Sequence, residues 1–378
     1  MSATSPAWVK LGVTIFLACA SCGGDDDVEP RAATTTSTGE GGSLGLGGAG
    51  QGAGTTSSAH GGGTSTSTNT GGAGPVTPSD ACRGAAPSGA THAPPLPAYS
   101  GGACPALVAG KSSIATAGGT RSFVLAVPAN LDPAERLPVV FLWHWLGGSA
   151  DDFYSTGAVQ EAVDHYRFLA VIPEAKGDVN TKWPFDVTQS EGRIGEELGF
   201  FDDMLACVGA QYSIVDDCVA SAGVSAGALF TGVLAGRRGD RISSFISLSG
   251  GTGGYIKPWK EPPHAMPAMV LWGGPGDACL SLNFQTTSLD LEQGLTSGGH
   301  FLVECVHNCG HAEPPFDAPN APTKFAPLWE FFLEHPFWLG PGESPFSGGL
   351  PGSFPDWCAV GKGSATPRQG ACSAPSGC

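Results

Sequence analysis

The chain has 378 residues, which suffices for one large domain or two ordinary ones. It carries 18 Lys and Arg against 34 Asp and Glu, a formal net charge of −16. Proteins that bind nucleic acid use a surplus of basic side chains to neutralise the phosphates. This chain has a surplus of acidic residues instead, so we expect no nucleic-acid partner. Hydrophobic residues make up 41% of the chain, enough for a sizeable core, although 58 residues are glycine.

The first 22 residues resemble an export signal. The apolar run Leu11 to Ala20 follows Lys10 and is too short to span a bilayer as a helix, but it fits the hydrophobic region of a signal peptide. Small residues precede Cys22, as in bacterial lipoproteins, whose lipidated Cys becomes the mature N-terminus. Cys19 is a second candidate, and a cleaved signal without lipid is the alternative. We therefore expect an exported protein, anchored in the cell envelope through lipid on Cys22 or secreted.

A low-complexity segment spans residues 23–79. From Ala32 to Gly74 nearly every residue is Gly, Ser, Thr or Ala, and no aromatic residue occurs between Phe16 and Tyr99. Such a segment buries too little apolar surface to offset the entropy lost on ordering it. We expect a disordered spacer that holds a folded domain away from a lipid surface.

Short apolar runs alternate with helical patterns over residues 80–340, where we expect a folded domain. The predicted strands are Ser122–Pro128, Pro138–His144, Phe168–Pro173, Cys218–Val224, Ile242–Leu248, Ala268–Trp272 and His300–Val306. The predicted helices are Thr156–Tyr166, Gly199–Tyr212, Ala226–Arg238, Phe284–Leu295 and Thr323–Glu334. This alternation favours an α/β fold with a mainly parallel sheet and helices on both faces. Residues 341–378 lack periodicity and are predicted to form a Cys-containing wrap.

The twelve cysteines indicate disulfides formed in an oxidising compartment. Cys207 and Cys218 lie close together along the chain and are expected to pair. We expect Cys82 and Cys104 to close an N-terminal wrap, although sequence alone does not settle connectivity.

Ser225 is the candidate nucleophile. Gly223–Gly227 matches the pattern G-x-S-x-G, but Gly41–Gly45 in the spacer matches it too, so the pattern alone decides little. Ser225 differs because it follows an apolar strand and precedes a helix that begins at Ala226. That order is typical of a nucleophile elbow, which exposes the serine hydroxyl at a helix N-terminus.

A serine nucleophile needs a base and a group that orients the base. Asp277 follows the predicted strand Ala268–Trp272, and His311 follows the next predicted strand. The order Ser, acid, His is typical of an elbow of this kind. The competing residues are His307 for the base, and Asp290 and Asp317 for the acid.

Residues 110–340 resemble the secreted α/β-hydrolases of the polyhydroxybutyrate depolymerase-like and feruloyl-esterase-like carboxylesterase family. The segments that carry the resemblance are His144–Phe153, Glu196–Asp203, Gly223–Gly227, Gly274–Asp277 and Gly310–His311. One position departs from the family, because Trp145 stands where a Gly usually follows the His. A bulky side chain there would alter the oxyanion hole or line the acyl pocket.

The resemblance implies an α/β-hydrolase fold and a serine ester hydrolase. The implied catalytic residues are Ser225 as nucleophile, His311 as base and Asp277 as the residue that orients the base. The implied oxyanion hole consists of backbone N–H groups of Ala226 and of Trp145 or Leu146. Three aromatic residues are candidates for a substrate platform, although each also suits a core: Trp145, Trp183 and Phe185.

We therefore expect an exported serine carboxylic-ester hydrolase that acts, as a monomer, on a polyester or an acyl-polysaccharide ester, with no metal or cofactor. The alternatives are a peptidase on the same fold and a catalytically silent lipoprotein that binds a polymer.

The cysteines near the candidate acid and base leave several arrangements open. A Cys279–Cys309 disulfide would pin the acid loop to the base loop, and Cys305–Cys309 is a local alternative. A zinc site would use His307 and His311 with Cys305 and Cys309, but an oxidising compartment disfavours free thiolates.

Overall fold

The computed structural model describes residues 79–316 and 321–372. The predicted signal peptide, the lipidation site Cys22, nearly all of the predicted spacer and the rival acid Asp317 lie outside the described residues. Their structural interpretation therefore stays a prediction.

A nine-stranded sheet forms the centre of the described part of the chain. Its strands are β1 (Gly110–Thr116), β2 (Gly119–Ala126), β3 (Leu137–Trp143), β4 (Leu169–Pro173), β5 (Ile214–Val224), β6 (Ser244–Leu248), β7 (Ala268–Trp272), β10 (Leu302–Val306) and β11 (Cys358–Val360). A separate small hairpin consists of β8 (Ala278–Cys279) and β9 (Leu282–Asn283).

The strand order is β1-β2-β4-β3-β5-β6-β7-β10-β11. The strands from β4 to β10 pair in parallel, and the outer pairs are antiparallel. Every residue of β3, β4, β6, β7 and β10 is buried, because helices cover both faces of the sheet. The carboxyl ends of these parallel strands lie at one edge, where α/β sheets carry their ligand sites.

Six α-helices cover the sheet in the described ranges. They are α1 (Ala150–Thr156), α2 (Val159–Tyr166), α3 (Glu191–Gln211), α4 (Ala226–Arg238), α5 (Phe284–Ser297) and α6 (Ala326–Leu333). One hydrophobic cluster contains side chains of α3, α4 and α5, and a second contains side chains of α1, α2 and α6. The predicted mainly parallel sheet with helices on both faces is therefore confirmed. No helix among the described residues is both long and apolar enough to cross a membrane.

Some predicted elements differ from the structure in their bounds. The predicted helix Thr156–Tyr166 is interrupted, because Ala158 has a φ of 48° between α1 and α2. Helix α3 begins at Glu191 rather than Gly199, where the Ser190 side chain accepts a hydrogen bond from the backbone N–H of Arg193. The edge strands β1 and β11 were not predicted, because neither contains a continuous apolar run.

The predicted disulfide pairings are wrong. The structure pairs Cys82 with Cys218, Cys104 with Cys207, Cys305 with Cys358, and Cys309 with Cys372. Short separation along the chain does not predict the pairing here, because Cys82 and Cys104, which precede β1, pair with cysteines on β5 and α3. Cys279 is disulfide-bonded as well, but not to Cys309. Both thiols of the disfavoured zinc set, Cys305 and Cys309, are in disulfides.

Candidate active site

Ser225 lies in a tight turn between β5 and α4. Its backbone has a φ of 54° and a ψ of −118°, a conformation that costs free energy for a residue with a side chain. The turn is held because the Ser225 N–H donates to the Leu248 carbonyl at the end of β6, at 2.9 Å.

The two flanking glycines allow the helix to approach the sheet. A Cβ atom on Gly223 would lie 2.2 Å from the carbonyl oxygen of Gly227. A Cβ on Gly227 would lie 2.0 Å from the carbonyl oxygen of Trp143 on β3. Any side chain at either position would therefore force the elbow apart. This steric limit explains why the motif has glycine at both positions.

A chain of hydrogen bonds joins the three predicted catalytic side chains. His311 Nε2 lies 3.0 Å from Ser225 Oγ, and His311 Nδ1 lies 2.7 Å from Asp277 Oδ1. Asp277 is fully buried, and Ser225 is 5% exposed. The arrangement matches the hydrogen-bond order of a serine hydrolase triad, in which the acid fixes the tautomer and orientation of the imidazole.

Two further groups hold the Asp277 carboxylate in place. The Ser249 hydroxyl and the backbone N–H of Gly273 each donate to Asp277 Oδ2 at 2.7 Å. Ser249 follows β6 and has a φ of 48°. Ser249 was not predicted from the sequence, although its place directly after a buried parallel strand was a usable signal.

The acid and base loops are joined by the backbone. The Gly310 N–H donates to the Gly273 carbonyl at 2.8 Å, so the Cys279–Cys309 disulfide predicted for this purpose is not needed. The ring of Phe284, the first residue of α5, stacks on His311 with centroids 4.5 Å apart and an interplanar angle of 13°. This second contact, also missed from the sequence, limits rotation of the base.

His307, the competing base, makes no hydrogen bond to the nucleophile. Its side chain is fully buried beside Trp357, and neither ring nitrogen has a hydrogen-bond partner among the described residues. Burial lowers the pKa of His307 to about 4, and the negative charge of Asp277 only partly offsets this. His307 is therefore neutral near pH 7. The rival acid Asp290 lies within α5, beside Gly253.

The N-terminus of α4 faces the same space as the Ser225 hydroxyl. Ala226 is the first residue of α4, and the first N–H groups of a helix have no partner within it. Trp145 and Leu146 follow β3 in a turn closed by the Gly148 N–H, which donates to the Trp145 carbonyl at 3.1 Å. The His144 Nδ1–H donates to the same carbonyl at 2.9 Å. The Trp145 carbonyl thus accepts two hydrogen bonds, and together they fix the orientation of the turn next to the nucleophile.

Two cavities meet at Ser225. The larger has a volume of about 530 Å³, and Trp145 lies in its wall. The smaller has a volume of about 210 Å³, and Phe185 lies in its wall. Leu146 borders both cavities.

The predicted aromatic platform is therefore divided. Trp145 and Phe185 line different cavities, and Trp183 lines neither. Trp183 is fully buried, and its indole N–H donates to the His144 carbonyl at 2.8 Å. Its ring packs in the first hydrophobic cluster, and no observation supports its assignment to substrate binding.

No protein-family model matches the chain, and no curated protein matches it. Solved structures do match. Native pOPH has a TM-score of 0.57 at 17% identity over 68% of this chain and 97% of its own. A serine-to-alanine variant of pOPH in complex with pNPB has the same TM-score and identity over 73% and 100%. Native sOPH has a TM-score of 0.54 at 17% identity over 70% and 99%. At this identity the likeness shows a shared fold, and the predicted α/β-hydrolase fold is confirmed.

Proposed function

We propose that this protein is a serine carboxylic-ester hydrolase. The observation that carries the proposal is the continuous hydrogen-bond chain from Asp277 through His311 to Ser225, at a strained elbow that opens into two cavities. Strained backbone conformations of this kind persist where the surrounding structure enforces them, and they cluster at active sites.

In the proposed reaction Ser225 Oγ attacks the ester carbonyl carbon while its proton passes to His311 Nε2. The carbonyl oxygen takes up the negative charge near the backbone N–H groups of Ala226 and of Trp145 or Leu146. The intermediate then collapses, the carbon–oxygen bond of the alcohol breaks, and His311 returns the proton to the leaving oxygen. The acyl group is then bonded to Ser225 Oγ, and a water molecule attacks its carbonyl carbon while giving a proton to His311. The bond to Ser225 Oγ breaks, the acid leaves, and His311 returns the proton to Ser225 Oγ.

The proposed substrates are a polyester or an acyl-polysaccharide ester, and the proposed location is outside the cytosol. Disulfides of the number described here form and persist in oxidising compartments. We propose further that the monomeric chain is anchored by lipid on Cys22, for which the small residues before that Cys are the support.

The experiment is hydrolysis of 4-nitrophenyl acetate by the purified protein. Ser225→Ala should lower turnover by about 10⁴–10⁶-fold, since loss of the nucleophile disables the whole triad. The matched control is Ser155→Ala, an exposed serine on α1 that lines neither cavity.

An organophosphate should form one adduct, on Ser225. Absence of both ester hydrolysis and an adduct would favour the catalytically silent binding protein. Cleavage of peptides in preference to esters would favour the peptidase.

A further inference from the structure

The larger cavity extends from the nucleophile into the layer between the sheet and α6. One wall consists of side chains at the ends of four neighbouring parallel strands: Leu142 on β3, Ala222 on β5, Leu248 on β6 and Leu271 on β7. The opposite wall belongs to α6, with Leu328, Trp329 and Phe332. The cavity therefore enters the second hydrophobic cluster, on the face of the sheet opposite α4.

The position of Ala222 on β5, the strand that ends at the nucleophile, indicates how deep this cavity is. Ala222 lies three residues before Ser225 on β5, and three residues of strand span about 10 Å. A ligand that reached Ala222 would therefore be buried well below the reacting carbonyl. The volume of about 530 Å³ falls within the roughly 300–1,000 Å³ typical of ligand pockets.

The charged residue Glu313 lies in the cavity wall next to Ala312 and His311 on the base loop. Its carboxylate is paired with Lys324 at 2.7 Å, and Lys324 in turn lies over the Phe325 ring. Apart from Glu313, Thr156, Ser249, Cys279 and the nucleophile and base, the residues that line this cavity are aliphatic, aromatic or glycine. An apolar cavity of this kind offers water few hydrogen-bond partners, so it favours an apolar ligand.

We propose that this cavity binds a long apolar alkyl arm of the ester, so that the protein prefers esters in which that arm is a medium or long chain over esters in which it is short. This inference rests on the proposed ester hydrolysis and names the substrate class of that site. The second arm of the ester would lie toward the smaller cavity, which is rimmed by the exposed side chains of Tyr255 and Leu280.

The first test varies each arm of the ester separately, below the critical micelle concentration. One series is the 4-nitrophenyl esters of acetate, butanoate, octanoate and dodecanoate, and the other is the acetates of alcohols of matching length. Each buried methylene contributes up to about fourfold in kcat/KM. We expect kcat/KM to rise at least about tenfold from the shortest to the longer members in one series, and that series identifies the buried arm.

The second test changes the cavity itself. Ala222→Leu adds side-chain atoms deep in the cavity and should lower the ratio of kcat/KM between the eight-carbon and the two-carbon member of the responsive series at least about tenfold. Leu328→Ala lengthens the cavity and should move the preferred chain length upward. The matched control is Leu234→Ala, a buried leucine on α4 that lines neither cavity, which should leave the ratio unchanged.

The outcomes separate this inference from the proposed function. If the wild-type protein hydrolyses no ester, the proposed function itself fails. If it hydrolyses acetates but kcat/KM is flat or falls with chain length in both series, the proposed function stands and the apolar-arm inference is overturned. Because a ratio of rates does not depend on the amount of folded enzyme, loss of stability in a variant cannot imitate the expected result.

Discussion

The hydroxyl of Ser249 is one of two donors that fix the acid of the candidate triad. Ser249→Ala removes this bond to Asp277 Oδ2 and leaves the Gly273 N–H. Because hydrogen bonds to charged groups are worth about 1.5–3 kcal/mol, we expect kcat to fall at least about tenfold. KM should change little, since Ser249 acts through Asp277.

A double-mutant cycle distinguishes this positioning role from a purely structural one. In an Asp277→Ala background, Ser249→Ala should have no further effect on kcat, because the group that it orients is gone. Equal losses in both backgrounds would mean that Ser249 does not act through Asp277.

Trp145 contributes both a backbone turn and a side chain to the site. If its N–H donates to the oxyanion, Trp145→Gly should keep most of the turnover of small esters, because the N–H remains. Its indole lines the larger cavity beside the Phe153 ring, so KM for long-chain or aromatic esters should rise. Trp145→Phe should restore part of that affinity. Loss of activity toward every ester would instead indicate a role in folding.

The three residues of the candidate triad could be singled out from the sequence, whereas the contacts that support them could not be derived from it. Ser225, Asp277 and His311 each follow an apolar strand, and their order along the chain is typical of the fold. Ser249 also follows a strand, but its role depends on a left-handed backbone conformation and on a carboxylate 28 residues away. The stacking of Phe284 on His311 depends likewise on where the β8–β9 hairpin places the start of α5.

At the scale of elements, α5 packs against β10, and each of the two elements carries a buried carboxyl group. Glu292 on α5 is fully buried, and Glu304 on β10 is 3% exposed. The Ala365 N–H donates to Glu304 Oε2 at 2.8 Å. Burial, and then the neighbouring charge of Glu304, raise the pKa of Glu292 to about 8. Glu292 therefore stays protonated in the folded protein at neutral pH, whereas the unfolded chain releases that proton.

This difference predicts how stability depends on pH. Between the unfolded pKa near 4.5 and the folded pKa near 8, the folded protein binds one more proton, so the free energy of unfolding falls as pH rises. The slope from Glu292 is at most about 1.4 kcal/mol per pH unit. Glu292→Gln, which resembles the protonated form, should flatten this slope and raise the Tm at pH 8.

The measurement is the unfolding free energy between pH 5 and pH 8, the window that the raised pKa of Glu292 defines. Glu161→Gln, at an exposed position on α2, is the matched control and should leave the slope unchanged. If Glu292→Gln leaves the slope unaltered, another titratable group causes the pH dependence of stability.

Buried helices and strands were predicted more accurately than helix breaks and edge strands. The bounds of α4 and β7 match the predictions, because each contains a continuous apolar segment next to a clear turn signal. Helix α1 was not predicted, and the predicted helix Thr156–Tyr166 runs across the break between α1 and α2, since nothing local reveals the positive φ of Ala158. Edge strand β11 has three residues and, within the described part of the chain, pairs with β10 alone, so its position depends on the fold rather than on its own sequence.

On the scale of the whole molecule, disulfides connect segments that lie far apart along the chain. Cys82–Cys218 and Cys104–Cys207 have sequence separations of 136 and 103 residues. Cys305–Cys358 and Cys309–Cys372 tie the C-terminal segment to β10 and to the loop that carries His311. Because a long closed loop restricts the unfolded chain strongly, each such bond typically contributes about 2–4 kcal/mol. These long-range pairings depend on topology, and for that reason spacing along the sequence did not reveal them.

The final prediction concerns attachment to a membrane through Cys22, which lies outside the described residues. If Cys22 is lipidated, the protein expressed in a bacterial host that processes lipoproteins should partition into the detergent phase of a phase-separating detergent. Cys22→Ser should move it to the aqueous phase, because the described domain has no helix that could span a membrane.

Cys19→Ser is the matched control for this change. It should stay in the detergent phase, since Cys19 precedes the expected cleavage site and is removed with the signal. Mass spectrometry of the mature N-terminus provides the independent measurement, and it should find lipid on Cys22. An unmodified N-terminus beyond residue 22 would contradict the lipid anchor and leave an ordinary cleaved signal. Because the anchor and the candidate triad are separated by the segment 23–79, Cys22→Ser should leave kcat on soluble esters unchanged.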